Sequence, residues 1–108
     1  MNPWLLDRLP ELMKALSHPI RIRILEIVSK GKNCQCELAG LLNEHPVNIS
    51  RHMNVLVQAG LVELEKEGTK TIPHLLYPEI IDLMDEFGQV IKKQARDQVR
   101  IVHSSLTK

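Results

Sequence analysis

Cys34 and Cys36 are the residues of this chain best suited to chemistry. They are its only two cysteines, and one residue separates them. Thiolates are soft ligands that favour soft, thiophilic ions. A secreted disulfide scaffold would carry more cysteines and spread them out. Both residues lie at or just before the start of a short helical segment, where the helix dipole favours an anionic sulfur. Three readings follow: a site for a metalloid or soft metal ion, a thiol redox switch, or two buried structural cysteines. A tetrahedral structural zinc would need four ligands, and the nearby His18 and His45 do not obviously complete such a set. Residues two apart on a regular helix point ~200° away from each other. Gripping one ion therefore implies that the first turn unwinds.

A second group of useful side chains lies further along. Pro46 opens a helical segment in which Ile49, Met53 and Leu56 recur at steps of four and three, which predicts one buried face. The outward positions then include Val47, Asn48, Ser50, Arg51 and Asn54. Arg51 can pair with a guanine edge and Asn48 with an adenine edge. Ser50 and Asn54 suit phosphate oxygens. His52 lies beside the inward face, at the margin of this DNA-facing set, and has the option of an internal bond.

The elements that position these groups are legible as a series. Asn2 and Pro3 read as a helix start, and Leu5, Leu9, Leu12 and Leu16 follow at helical spacing. Pro10 is expected to kink or split this helix. Pro19 opens a second helix, with Ile20, Ile24, Ile27 and Val28 inward and Gly31 at its end. A third, short helix covers roughly 37–42, with Leu38, Leu41 and Leu42 inward. Asn43, Glu44 and His45 form a tight turn before the Pro46 helix, which ends near Gly60.

From Leu61 the period changes. Val62, Leu64 and Lys66 alternate with Glu63, Glu65 and Glu67, which predicts a strand with one buried face. Gly68 supplies a turn. The returning strand covers 69–77, with Pro73 tolerated only at an edge or bulge. Pro78 begins the last helix, to about Val102, with an apolar stripe through Ile80, Met84, Phe87, Ile91, Ala95 and Val102.

This order predicts a mainly α, winged helix-turn-helix fold in one domain over 1–108, with about five helices and a two-stranded hairpin wing. The fourth helix should enter the major groove of duplex operator DNA. Lys66 and Lys70 on the wing should meet phosphates. The last helix carries more apolar face than so small a domain can cover. A homodimer through the first and last helices is therefore expected, with Leu5, Leu9, Ile80, Met84, Phe87 and Ile91 at the interface.

Composition sets the outer bounds. The chain has 108 residues, 44% of them hydrophobic, and its aromatics are Trp4, Tyr77 and Phe87 alone. The formal net charge is +1. A near-neutral DNA binder must concentrate its positive charge locally or double it by dimerising. The opening residues lack a basic region followed by an apolar run, and no apolar stretch approaches the ~20 residues that span a bilayer. A soluble cytoplasmic protein without a membrane partner is expected. The sequence shows no Ser/His/Asp set, no phosphate-binding glycine loop and no carboxylate pair in a cleft-like context, which argues against an enzyme. A winged-helix module that binds a protein partner is the competing class, separable by salt-dependent binding to DNA.

Leu16-Ser17-His18-Pro19-Ile20-Arg21-Ile22-Arg23-Ile24-Leu25 resembles the opening signature of the ArsR/SmtB family of metal-sensing repressors. Ile49-Ser50-Arg51-His52-Met53 and Ala59-Gly60-Leu61-Val62 are similar to the recognition helix and wing entry of that family. The resemblance runs over roughly 9–77 and more loosely into the last helix. It implies a homodimeric repressor that holds operator DNA when free and releases it when an inducer binds, with no obligatory cofactor. Asn33-Cys34-Gln35-Cys36-Glu37-Leu38-Ala39 is similar to the arsenic-binding segment of arsenical-responsive members. Cys34 and Cys36 match two of its thiolates, and Ala39 stands where a third is often found. The resemblance thus implies trivalent arsenic or antimony, or another soft metal ion, as inducer. The zinc site of other members is not matched: Asp82-Leu83-Met84 has methionine where histidine is expected. His74 and His103 are expected to be solvated.

Overall fold

A computed structural model describes the backbone of residues 1–106 and the side chains of residues 1–98. The elements are α1 (Pro3–Leu16), α2 (Pro19–Lys30), α3 (Gln35–Leu42), α4 (Pro46–Gln58), β1 (Val62–Glu67), β2 (Lys70–Leu75) and α5 (Glu79–Leu106). The expected winged helix-turn-helix order is present. The chain divides into two compact units, Met1–Pro78 and Glu79–Lys108.

Local chemistry explains the helix starts. α1, α2 and α4 each begin with proline, which lacks the N–H that a first turn leaves unpaired. α1 runs unbroken through Pro10, contrary to the expected kink or split. Pro10 removes the bond to the Leu6 carbonyl, but both residues are exposed, so the freed carbonyl is within reach of solvent.

In the first unit the core is aliphatic. Ile24 and Leu25 of α2, Leu38 of α3, Ile49, Met53 and Leu56 of α4 and Val62 of β1 are fully buried. α4 packs against α2, α3 and β1, while α3 also packs against β2. The inward face of α4 is the one its spacing predicts. In α2, Val28 is also buried, whereas Ile20 and Ile27 are half-buried. The buried face of α3 runs through Leu38 and Ala39 with Leu42 half-buried beside them, which carries Leu41 past its edge to 61% exposure. Leu41 is therefore not inward.

The wing is a two-residue hairpin with register Val62↔Leu75, Leu64↔Pro73 and Glu67↔Lys70. Gly68 at φ 63° supplies the left-handed turn that a side chain would resist. The buried face expected along β1 stops at Val62, because the hairpin projects beyond the core and leaves Leu64 and Lys66 exposed. Pro73 costs no ladder bond to a third strand, since each strand of a two-stranded sheet is an edge.

In the second unit, α5 exposes Leu83, Phe87, Val90 and Ile91. Met84 is half-buried. Ile80 is buried. The side chains of Val102 and His103 lie outside the described residues.

Candidate nucleic-acid interface and cysteine pair

α3 and α4 are joined by Asn43, Glu44 and His45. Asn43 adopts the left-handed conformation (φ 51°), which asparagine tolerates better than most residues, and its N–H closes α3 on the carbonyls of Ala39 and Gly40. His45 Nδ1 then accepts the Val47 N–H at 3.1 Å and caps α4. His18 does the same for α2, accepting the Ile20 N–H at 3.1 Å. A His-Pro pair thus opens both helices. The repeated dipeptide signals this, although histidine is not among the usual capping residues.

The exposed face of α4 carries Val47, Asn48, Arg51 and Asn54, with Ser50 half-buried beside them. Asn48 Nδ2 donates to Glu44 Oε2 at 3.3 Å. Arg51 makes no hydrogen bond or ion pair among the described residues, which leaves its five donors available. His52 does not join this face. It is half-buried, its Nδ1 lies 3.2 Å from Arg21 Nη1, and its ring centroid is 4.3 Å from that of His18. Burial, then His18 and Arg21, push the His52 imidazole below its ordinary range, against a smaller opposing pull from Glu44.

The wing differs in charge. Between Val62 and Leu75 it carries Glu63, Glu65 and Glu67 against Lys66 and Lys70. Lys66 Nζ donates to Thr71 Oγ1 at 2.8 Å, and Lys70 is exposed. His74 Nε2 meets Glu65 at 2.7 Å, so this histidine is paired with a carboxylate rather than only solvated. Glu67 is paired with Lys32 at 2.7 Å. That contact holds the Glu67 carboxyl below the usual carboxylate range and raises the Lys32 ammonium.

Cys34 is the N-cap of α3, with extended dihedrals, rather than a residue of its first turn. Its sulfur accepts the Glu37 N–H at 3.3 Å while Glu37 Oε1 accepts the Cys34 N–H at 3.2 Å, a reciprocal capping box. Cys34 is buried and Cys36 exposed. The two sulfurs are bonded to each other, with Cα atoms 5.4 Å apart. The expected opposition of two side chains on one helix does not arise, because Cys34 precedes the helix. The sulfurs converge with α3 intact. Ala39 is buried, and no group of three or more His, Cys, Asp or Glu that could hold a metal exists among the described residues.

A three-residue turn between two helices, an exposed polar face on the second and a hairpin behind it define a winged-helix DNA-binding protein. Known proteins agree. The family described as bacterial regulatory protein, arsR family, matches residues 18–63. An HTH-type transcriptional regulator of Methanocaldococcus jannaschii is 34% identical over 84 residues, covering 74% of this chain and 94% of that one. The arsenical resistance operon repressor of Staphylococcus xylosus is 33% identical over 83 residues, 77% of this chain and 79% of that one. Among solved structures, Rv0081 of Mycobacterium tuberculosis superposes with a TM-score of 0.78 at 30% identity, over 92% of this chain and 99% of that one. A homodimeric winged helix-turn-helix DNA-binding domain from Mycobacterium bovis gives 0.72 at 25% identity, over 82% of each. The chain belongs to the arsR family of bacterial transcriptional regulators, which are repressors and not enzymes. No helix among the described residues is long and apolar enough to cross a membrane.

Proposed function

We propose that this chain is a homodimeric repressor that reads operator DNA with α4 and releases it when a thiophilic metalloid, arsenite or antimonite, is captured by Cys34 and Cys36. The observation that carries this reading is the convergence of the two sulfurs at the N-cap of α3, which packs against α4. The Glu37 N–H points at Cys34 Sγ, where a helix N-terminus favours an anionic sulfur. The two cysteine thiols can replace two hydroxyls of arsenious acid, their protons leaving with those hydroxyls as two waters. Hydroxide, a small cellular thiol or another segment would complete the coordination that Ala39 does not. Spreading the sulfurs displaces the buried cap of α3, and release follows if the spread state holds DNA less well.

The bond between the sulfurs supports a second reading. Oxidation of the dithiol to the disulfide, with a peroxide reduced to water, would switch the same cap. An arsenite titration of the DNA complex, with phosphine-reduced protein, separates the two. Wild type should release DNA, while Cys34→Ser and Cys36→Ser should bind DNA and retain it. Equal release in all three removes the cysteines from the mechanism. Release by peroxide but not by arsenite, reversed by dithiothreitol, selects the redox reading.

The dimer rests on two separate apolar faces. α1 exposes Trp4, Leu6, Leu9 and Met13 and borders a cavity of about 230 Å³ lined in part by Trp4, Leu5, Leu9 and Leu12. α5 exposes Phe87 and Ile91. Sedimentation at micromolar concentration should show a dimer, and replacing Phe87 and Ile91 with aspartate should leave a 12.4 kDa species that no longer binds DNA tightly. A wild-type protein that sediments only at that mass would exclude this assembly.

A further inference from the structure

The joint between α1, α2 and α4 contains a cluster that DNA reading and inducer sensing do not use. Arg21 stands in the first turn of α2. Its Nε donates to the Ala15 carbonyl at 2.6 Å and its Nη2 to the Lys14 carbonyl at 3.0 Å. Both acceptors belong to the last turn of α1, where carbonyls lack helical partners and a cation is favoured. The remaining arm, Nη1, reaches His52 Nδ1 at 3.2 Å. One guanidinium thereby ties three helices together, and the third is the helix that carries Arg51.

The chemistry fixes the protonation of the ring. A guanidinium has no acceptor, so Nδ1 of His52 must accept and the ring proton sits on Nε2. His18, whose ring lies against that of His52, also accepts through Nδ1, from the Ile20 N–H. Protonating His52 would convert its acceptor to a donor facing a donor and place a second positive charge beside Arg21.

We infer that His52 is a positioning residue that holds α4 in its DNA-reading orientation through Arg21, and that it does so only as a neutral ring. Operator affinity therefore falls as the medium becomes acidic enough to protonate it. His18 from the α1–α2 joint, Arg21 from α2 and Glu44 from the α3–α4 turn are the titratable or charged groups that act on the ring. Burial opposes its protonation most, His18 and Arg21 add to that, and Glu44 opposes them more weakly, so the ring titrates below its ordinary range. A histidine in direct contact with phosphate would behave in the opposite way, binding DNA more tightly as it gained charge.

The inference rests on α4 being the groove-facing helix, and the test separates the two. A duplex selected by the wild-type protein from a random-sequence pool serves as probe, with affinity measured from about pH 8 to about pH 5.5, the range in which histidine changes charge. Wild type should weaken severalfold, by less than about tenfold, towards the acid end, because a ring held below its ordinary range is only partly protonated there. His52→Asn keeps an acceptor near the Nδ1 position without titrating. It should bind like wild type at high pH and lose most of the pH dependence, which subtracts the contributions of the other histidines. His52→Leu should be weak at every pH while melting as a folded protein. If His52→Asn retains the wild-type slope, is as weak as His52→Leu, or if wild type tightens in acid, the inference is wrong. Arg51→Ala is the control. Should it change neither affinity nor sequence preference, the placement of α4 has failed. Should it change them while the His52 variants do not, only the lock has failed.

Discussion

Helix α4 and the hairpin that follows it are neighbours in sequence and opposites in construction. α4 is fixed on every side that faces the protein: Ile49, Met53 and Leu56 are fully buried, His45 caps its start and His52 is tied to Arg21. The wing is anchored by Val62, Ile72 and Pro73, its turn is exposed, and three exposed glutamates are spread along β1. A rigid helix with an exposed arginine suits the reading of base edges, which demands fixed geometry. A wing with three glutamates against two lysines has little attraction to offer a polyanion. The positive charge that a near-neutral chain must gather locally is not gathered on its wing.

The largest expected effect probes rigidity. Met53→Ala should destabilise the fold by about 2–5 kcal/mol through reduced burial and a residual cavity. Leu64→Ala, at a site 36% exposed, should stay within about 0.5 kcal/mol. Thermal or urea melts of the two variants measure the contrast, and equal losses would erase it. Next in size is base reading. Arg51→Ala should cost about 1–3 kcal/mol of discrimination between preferred and altered duplexes, seen in competition binding. The smallest effects belong to the wing. Lys66→Ala and Lys70→Ala should each weaken binding alike on all sequences and lower the salt slope by at most about 0.9 for each phosphate no longer neutralised. A wing lysine that changes sequence preference more than Arg51 does would reverse the comparison.

The same contrast explains how much is legible in the sequence. The inner face of α4 can be read because steps of four and three have one geometric solution on a helix. Alternation in β1 defines a face but not whether anything covers it, so Leu64 reads as buried and is not. The sequence places the start of α3 two residues late because cysteine is not a usual cap. The cysteines look opposed only when both are given regular helix geometry, whereas Cys34 is an extended N-cap and the sulfurs converge. His52 can be placed beside the inward face, but its link to Arg21 joins residues far apart in the chain, and spacing along one helix carries no information about that. The polar face of α4 follows directly once its buried residues are known.

The capping role of Cys34 has a genetic consequence. Serine, one atom different, is among the preferred residues at a helix N-cap and would accept the Glu37 N–H at least as well as sulfur does. Under the proposed function, exchanging sulfur for oxygen there removes the response and keeps the helix. A one-base change can therefore turn an inducible switch into a permanent lock without a folding penalty to expose it. Selection for cells that never derepress should recover folded alleles at Cys34 and Cys36, whereas selection for loss of repression should spread over the buried core and the α4 surface.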